Sequence, residues 1–184
     1  DKDAAKNGNK LNEFKYKNID IDFLLFNLRN NKLYDKSKPY QLEIKPHSNE
    51  YEDERYDLYR NHFNKKIGLF QEKLLFHGTS KENLQSILTN GLTMTNNTKH
   101  GKVHGNGVYF TDKLDFALKY PKTSTIERYV IVCKVGVNNI IEGRKAIENF
   151  PTKSNSHIKY DTGVDNLTTP VQFLHQFLQY SVIT

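Results

Sequence analysis

Two short segments of the sequence combine residue types that can bind a nucleotide. The first, LLFHGTS (residues 74–80), ends an apolar run with His77 and Gly78; the second, GNGVYF (105–110), places two glycines before Tyr109. Glycines let backbone N–H groups approach a ligand closely because no Cβ intervenes. A histidine offers a ring nitrogen to a hydroxyl, and Tyr109 and Tyr120 offer flat faces to a heteroaromatic ring. These residue types suit a polar ligand that contains a ring, such as a nucleotide.

The spacing of these residues argues against one common nucleotide site. GNGVYF lacks the G-x-G-x-x-G form and precedes a predicted strand, so we do not expect a Rossmann pyrophosphate turn. Taken singly, a histidine at a strand end and a tyrosine in a strand are more often structural residues. Their spacing alone does not identify the ligand.

The elements that would carry these residues can be predicted from local patterns. KLLFHGT (73–79) is typical of a strand, and SKENLQSILTNGL (80–92) of a helix capped by Ser80 and stopped at Gly91. A polar, glycine-rich loop (93–107) leads to a predicted strand in GVYFT (107–111). DKLDFALKY (112–120) predicts a helix capped by Asp112 and stopped by Pro121.

The rest of the chain predicts irregularly alternating helices and strands. A helix is expected over 48–66, with a Ser48 cap and one face formed by Tyr51, Arg55, Leu58, Tyr59 and Phe63. Further predicted elements are a short helix (18–30), an edge strand (39–46), a central strand (127–137), a shorter strand (138–143) and mostly loop over 149–170. This alternation indicates an α+β domain.

Composition and charge limit the classes of function. The 184 residues fit one domain (13–184) after a flexible polar lead (1–12), and no apolar run approaches the ~20 residues of a membrane span. We find no signal-peptide pattern and expect an intracellular, metal-free protein.

Cys133 lies in a β-rich run and is expected to be a buried thiol. The glycines around His100 and His104 argue against a metal site at these two histidines. The net charge of +6 is spread over scattered lysines, so a solvated surface is favoured over a nucleic-acid groove.

Residues 74–120 resemble the catalytic domain of the poly(ADP-ribose) polymerase family, the diphtheria-toxin-like ADP-ribosyltransferases. LLFHGTSKENLQSILTNGL and GNGVYFTDKLDFALKY match in order, separated by a variable loop, and weaker matches extend the resemblance over 39–184. The resemblance implies an ADP-ribosyltransferase fold, with a split, mainly antiparallel β-sheet core and flanking helices. It also implies NAD+ as co-substrate without a metal, ADP-ribose transfer to an acceptor, and release of nicotinamide.

The resemblance also assigns roles to individual residues. His77 would bond ribose hydroxyls of NAD+, Gly78 would hold the nicotinamide carboxamide through its backbone, and Tyr109 would position the nicotinamide ribose. Thr79 and Asn83 match positions at the adenosine end, and Tyr120 would stack on the nicotinamide ring. The implied cofactor-binding set is His77, Gly78, Thr79, Asn83, Gly107, Tyr109, Ala117 and Tyr120.

Two positions depart from the family pattern. Many relatives have a serine that bonds the carboxamide where this chain has Ala117, so weaker NAD+ binding is expected. Polymer-forming relatives carry a glutamate on a late strand, whereas this chain has no glutamate after Glu148. Anchoring the match on Pro170 places Gln172 at that third catalytic position, and anchoring it on the C-terminal VIT places it near Thr168. Both registers lack the carboxylate, which points to mono-ADP-ribosylation rather than chain elongation, with His77, Tyr109 and Gln172 as the catalytic set.

Several alternatives stay open at the level of sequence. Residues 168–184 fit a helix by spacing, but a strand is favoured because the sheet core needs it. The acceptor is expected to be a protein, less favourably a nucleic acid, with no membrane involved and a monomer as the default state. The alternative function is a catalytically inactive relative that binds NAD+, ADP-ribose or protein.

Overall fold

The computed structural model describes residues 49–93, 103–120, 127–144, 147–175 and 180–183. The flexible lead, the helix over 18–30 and the strand over 39–46 that the sequence predicts lie outside these residues. So do Ser48, His100 and Pro121.

The described chain alternates three helices with seven strands. The helices are α1 (Glu50–Lys66), α2 (Lys81–Asn90) and α3 (Leu114–Ala117). The strands are β1 (Glu72–Thr79), β2 (Val108–Thr111), β3 (Tyr129–Gly136), β4 (Ile140–Glu142), β5 (Thr162–Val164), β6 (Gln172–His175) and β7 (Tyr180–Ile183). The predicted α+β class is confirmed.

The seven strands form one sheet in the order β4-β5-β6-β2-β1-β3-β7. All neighbours run antiparallel except β4 and β5, which are parallel. β1 pairs with β3 along its whole length, from Glu72 opposite Gly136 to Thr79 opposite Tyr129. Within the described residues β1 meets β2 at one paired position, Phe76 opposite Thr111. Two halves of the sheet therefore join at a short seam, and the seam lies beside His77.

Helices cover both faces of the sheet at this seam. On one face, Leu75, Phe110 and Phe173 belong to the main buried cluster, against which α2 packs with Leu84, Ile87 and Leu88. On the other face, Phe76 packs with Leu114 and Ala117 of α3. Burial of Phe76 and Phe110 to 1–2% exposure anchors both seam strands in the core.

Helix α1 differs from the sequence prediction in its cap and its buried face. Asn49, not Ser48, caps it: the Asn49 side chain accepts the Glu52 N–H. Tyr51 and Leu58, expected on the buried face, are 72% and 71% exposed.

The buried face of α1 is instead set by an aromatic cluster. Tyr56 and Phe63 pack edge-on against Phe70, which precedes β1. The Tyr56 hydroxyl donates to Glu72 Oε2 at 2.7 Å. Docking against Phe70 and Glu72 therefore fixes a face that the helical spacing alone did not distinguish.

One further prediction is wrong, at the start of α3. Asp112 does not cap α3, which begins after Lys113, has no side-chain cap and makes a single turn. The Lys113 N–H is instead accepted by Thr111 Oγ1 at 3.1 Å. The segment 149–170 is mostly loop, as expected; it also contains β5, whose three residues are too few to show an alternating pattern. The strand prediction for the C-terminal region is confirmed by β6 and β7.

A buried polar chain ties β5 to β6. The Thr162 hydroxyl donates to Asp161 Oδ1 at 2.6 Å and, having one proton, accepts from His175 Nε2 at 3.0 Å. His175 is 1% exposed, and burial lowers its pKa to about 3. The folded protein therefore holds this ring neutral.

This pKa predicts a pH dependence of stability. The imidazole of the unfolded chain has a pKa of about 6.5, so below that pH the unfolded state binds a proton that the folded state does not bind. The free energy of unfolding therefore falls as the pH drops from about 6.5 towards 3. Between pH 7.5 and pH 5.5 His175 should remove about 1.4 kcal/mol from the free energy of unfolding, as measured by urea denaturation. In His175→Gln that share of the pH dependence should vanish. An unchanged pH dependence in the variant would contradict the assignment.

Candidate active site

The predicted catalytic residues lie on three neighbouring strands. His77 is on β1, Tyr109 is on β2 and Gln172 opens β6, and β2 lies between the other two strands. Gln172 is opposite Thr111, two residues along β2 from Tyr109. Adjacent strands are about 4.8 Å apart, so the fold brings these three positions to one region of the sheet. Thr168, the position from the alternative register, is an exposed loop residue before β6.

His77 is held in one orientation and one tautomer. Its Nδ1 lies 2.8 Å from the carbonyl oxygen of Tyr109. A carbonyl can only accept, so Nδ1 carries the proton and Nε2 is left as a hydrogen-bond acceptor. Burial lowers the pKa of His77, and the bond to the Tyr109 carbonyl offsets only part of that effect. The ring is therefore suited to accept a bond from a hydroxyl while uncharged.

Gly78 lies against the carboxyl end of α3. A Cβ at this position would be 2.8 Å from the carbonyl oxygen of Tyr120 and would clash still more closely with the Ala117 carbonyl oxygen. Only a residue without a side chain permits this approach. The backbone of β1 is thus brought next to the segment that carries Ala117 and Tyr120.

Ala117 and Tyr120 differ in exposure. The Ala117 side chain is buried in the Phe76 cluster, 2% exposed. The ring of Tyr120 is on the surface at 45% exposure, with its centroid 5.7 Å from that of Phe116. The backbone of Tyr120 lies near Gly78, and its exposed ring can take a flat ligand ring against its face.

The hydroxyl of Tyr109 is engaged by its own loop. It donates to the carbonyl oxygen of Gly105 at 2.7 Å and accepts the His104 N–H at 3.1 Å. Burial raises the pKa of Tyr109, the His104 N–H opposes this, and the nearby Tyr120 adds to it. The hydroxyl therefore closes the loop before β2, and its contact with a ribose stays a prediction. The partners His104 and Gly105 could not be predicted from the sequence, because both act through backbone atoms.

Gly107 allows the loop before β2 to lie close to β6. A Cβ there would be 2.5 Å from the His175 carbonyl oxygen and from a Leu174 methyl. The loop backbone thus passes the end of β6 at a distance that a side chain would prevent. A direct contact between Gly107 and a ligand remains a prediction.

Thr79 and Asn83 lie beyond His77 along the chain. Thr79 is buried at the end of β1, opposite Tyr129. The side chain of Asn83 is exposed in the first turn of α2, where its N–H is accepted by Ser80 Oγ at 3.3 Å. Their predicted contacts with the adenosine end of a nucleotide are not tested by this geometry.

Three features of the described residues bear on other classes of site. In those parts of the chain, no three histidine, cysteine, aspartate or glutamate side chains are grouped so that they could hold a metal ion. In the same ranges no helix is long and apolar enough to cross a membrane. Cys133 is fully buried, and burial raises the pKa of its thiol, as expected for a structural residue.

Comparisons with known proteins identify the family of the chain. The family model of the poly(ADP-ribose) polymerase catalytic domain matches residues 28–172. The mouse protein mono-ADP-ribosyltransferase PARP12 is 27% identical over 104 residues, which is 56% of this chain and 15% of that protein. Mouse protein mono-ADP-ribosyltransferase PARP11 is 27% identical over 133 residues, covering 60% of this chain and 40% of that protein.

A solved structure supports the fold. The PARP domain of Arabidopsis RADICAL-INDUCED CELL DEATH1 superposes with a TM-score of 0.57 and 19% sequence identity, over 77% of this chain and 84% of that one. This chain corresponds to well under half of the length of the two mouse relatives. The chain belongs to the poly(ADP-ribose) polymerase catalytic-domain family.

The close approach at Gly78 predicts the effect of adding a methyl group. Gly78→Ala should lower the free energy of unfolding by about 1–3 kcal/mol, because the obstructing atoms are backbone carbonyls that cannot rotate away. Gly68→Ala is the matched control, since a Cβ there meets nothing within 4 Å. It should be neutral or stabilising by up to about 1 kcal/mol. Equal urea midpoints for the two variants would contradict the packing at Gly78.

Proposed function

We propose that this chain transfers single ADP-ribose units from NAD+ to acceptor proteins and releases nicotinamide. The observation that carries the proposal is the 2.8 Å bond from His77 Nδ1 to the Tyr109 carbonyl. It leaves Nε2 of an uncharged ring as an acceptor for a ribose hydroxyl, next to the side-chain-free Gly78. The family of the chain supports NAD+ as the donor.

The reaction requires a firm hold on both sides of one bond. The bond between the nicotinamide nitrogen and the ribose carbon breaks, and its electron pair leaves with neutral nicotinamide. The acceptor atom forms the new bond to that carbon and gives up a proton. Because the transition state resembles an oxocarbenium ion, positioning of the two halves supplies much of the rate.

The described residues fit the two halves of NAD+. His77 would accept a bond from a ribose hydroxyl, and the backbone of Gly78 would bond the carboxamide of nicotinamide. The exposed face of Tyr120 would stack on the nicotinamide ring. The ring is then held as a leaving group while the ribose is fixed.

The residue at the third catalytic position favours transfer of single ADP-ribose units over polymer formation. Gln172 is a neutral amide on the strand next to Tyr109, so a carboxylate that would orient a ribose hydroxyl of a growing chain is missing there. The names of the two mouse relatives, both protein mono-ADP-ribosyltransferases, support the same choice.

A second candidate function is binding without catalysis. Ala117 has no hydroxyl for the carboxamide, and such a bond contributes about 1 kcal/mol. The Tyr109 hydroxyl is also engaged by loop backbone. A module that binds NAD+, ADP-ribose or a protein would tolerate both features.

The proposal also includes the location of the protein, its oligomeric state and its acceptor. We expect an intracellular monomer that modifies proteins. A nucleic-acid acceptor is less favoured, because the net charge of +6 is scattered along the sequence.

Replacement of His77 tests the proposal. With labelled NAD+ and cell lysate, the wild-type chain should label itself or other proteins, and His77→Ala should lower the labelling rate about a hundredfold or more, because the ribose is no longer positioned. His62→Ala, which removes an exposed histidine from α1, is the matched control and should label like wild type. Thermal unfolding checks that both variants are folded.

The outcomes separate the two candidate functions. Labelling that persists in His77→Ala at the wild-type rate would contradict the transferase proposal. No labelling by wild type, together with a thermal shift on adding NAD+, would favour the binding module.

The neutral side chain of Gln172 leads to two predictions, one for the reaction product and one for the transfer rate after a charge is introduced. Mass spectrometry should find single ADP-ribose units on proteins labelled by wild type. Gln172→Glu should raise the transfer rate about tenfold, since a carboxylate there would stabilise positive charge developing on the ribose. Long polymers from wild type would contradict the inference drawn from the missing glutamate.

A further inference from the structure

The loop that leads into Gln172 is held by the side chains of two adjacent residues. Asn166 Oδ1 accepts the N–H of Thr168 at 2.8 Å and the N–H of Thr169 at 3.0 Å. Both bonds lie within the loop between β5 and β6, and they shape its exposed tip.

Asp165 holds the part of the loop next to the site. Its Oδ1 accepts the N–H of Val171 at 2.9 Å and that of Gln172 at 3.0 Å. The Asp165 N–H in turn donates to the Gln172 carbonyl oxygen at 3.3 Å. Since Pro170 has no N–H, Asp165 and Asn166 together accept every backbone N–H from Thr168 to Gln172.

Apolar packing contributes little at the tip of this loop. Leu167 is 51% exposed, and Thr168 and Thr169 are exposed as well. Hydrogen bonds to a charged acceptor are shorter and stronger than those between neutral groups. Phe173 and the strand pairs hold β6 in the sheet, and at its first residue one carboxylate oxygen of Asp165 accepts the backbone N–H of Gln172 itself.

We propose that Asp165 is a positioning residue for ADP-ribose transfer, which fixes Gln172 beside the donor through its two backbone bonds; this inference rests on the proposed function. Asp165 itself need not touch the donor. Its effect on the reaction would pass through the placement of Gln172 on β6. His77 and Gly78 lie on β1, so binding of NAD+ should not depend on Asp165.

Two substitutions at Asp165 test the role of its oxygen. In the 184-residue chain, Asp165→Ala frees the Val171 and Gln172 amides, and kcat should fall about tenfold to a hundredfold because Gln172 shifts. The KM for NAD+ should stay within about threefold of wild type. Asp165→Asn keeps an oxygen acceptor at the same place and should restore kcat to within about threefold of wild type.

Asn166→Ala is the matched control in the same loop. It removes two side-chain bonds of the same kind, but these go to Thr168 and Thr169. Its kcat should stay within about threefold of wild type. A wild-type kcat for Asp165→Ala, or losses in Asp165→Asn or Asn166→Ala as large as in Asp165→Ala, would overturn the proposal.

Amide hydrogen exchange gives a readout that does not need activity. The Val171 and Gln172 amides should be protected in wild type and in Asp165→Asn, and should exchange faster in Asp165→Ala. If wild type transfers no ADP-ribose while this pattern holds, the proposed function is wrong but Asp165 still positions Gln172. If the amides stay protected in Asp165→Ala, the positioning role is wrong whatever the activity.

Discussion

One hydrogen bond, from His77 Nδ1 to the carbonyl of Tyr109, connects the two strands that form the candidate site. It matters because β1 and β2 pair at one position, Phe76 with Thr111, within the described residues. The bond crosses that seam one residue further along β1, orients the imidazole and leaves Nε2 as an acceptor. Burial of the ring lowers its pKa and keeps it uncharged. The chemistry open to His77 thus follows from how two strands meet.

The elements around this seam bury its strands and pack closely against them. Phe76 and Phe110, one on each strand, anchor opposite faces of the sheet in separate buried clusters. Gly78 allows the end of α3 to lie close to β1, and Gly107 allows the loop before β2 to pass close to the end of β6. In both contacts, backbone atoms occupy space that a side chain at the glycine would need. The site is therefore a product of close backbone approach as much as of its functional side chains.

Much of this arrangement could be predicted from local sequence. The strand before His77, the Ser80 cap, the stop at Gly91 and the strand around Tyr109 all follow from short-range patterns, and each is found. The buried face of α1 was predicted wrongly, because packing against Phe70 decides it. The α3 cap was also wrong, and β5 was missed because three residues carry no pattern. The bonds that engage the Tyr109 hydroxyl could not be predicted, since their partners are backbone atoms, which the types of the neighbouring residues do not reveal.

A crystal structure of the chain with a non-hydrolysable NAD+ analogue tests the central claim most directly. We predict that the nicotinamide carboxamide bonds the backbone of Gly78, that its ring lies against Tyr120, and that a ribose hydroxyl donates to His77 Nε2. Retention of the bond between His77 Nδ1 and the Tyr109 carbonyl is expected in the same structure. An analogue bound away from the β1–β2 seam, or one that leaves His77 Nε2 without a hydroxyl partner, would contradict the assignment of this site.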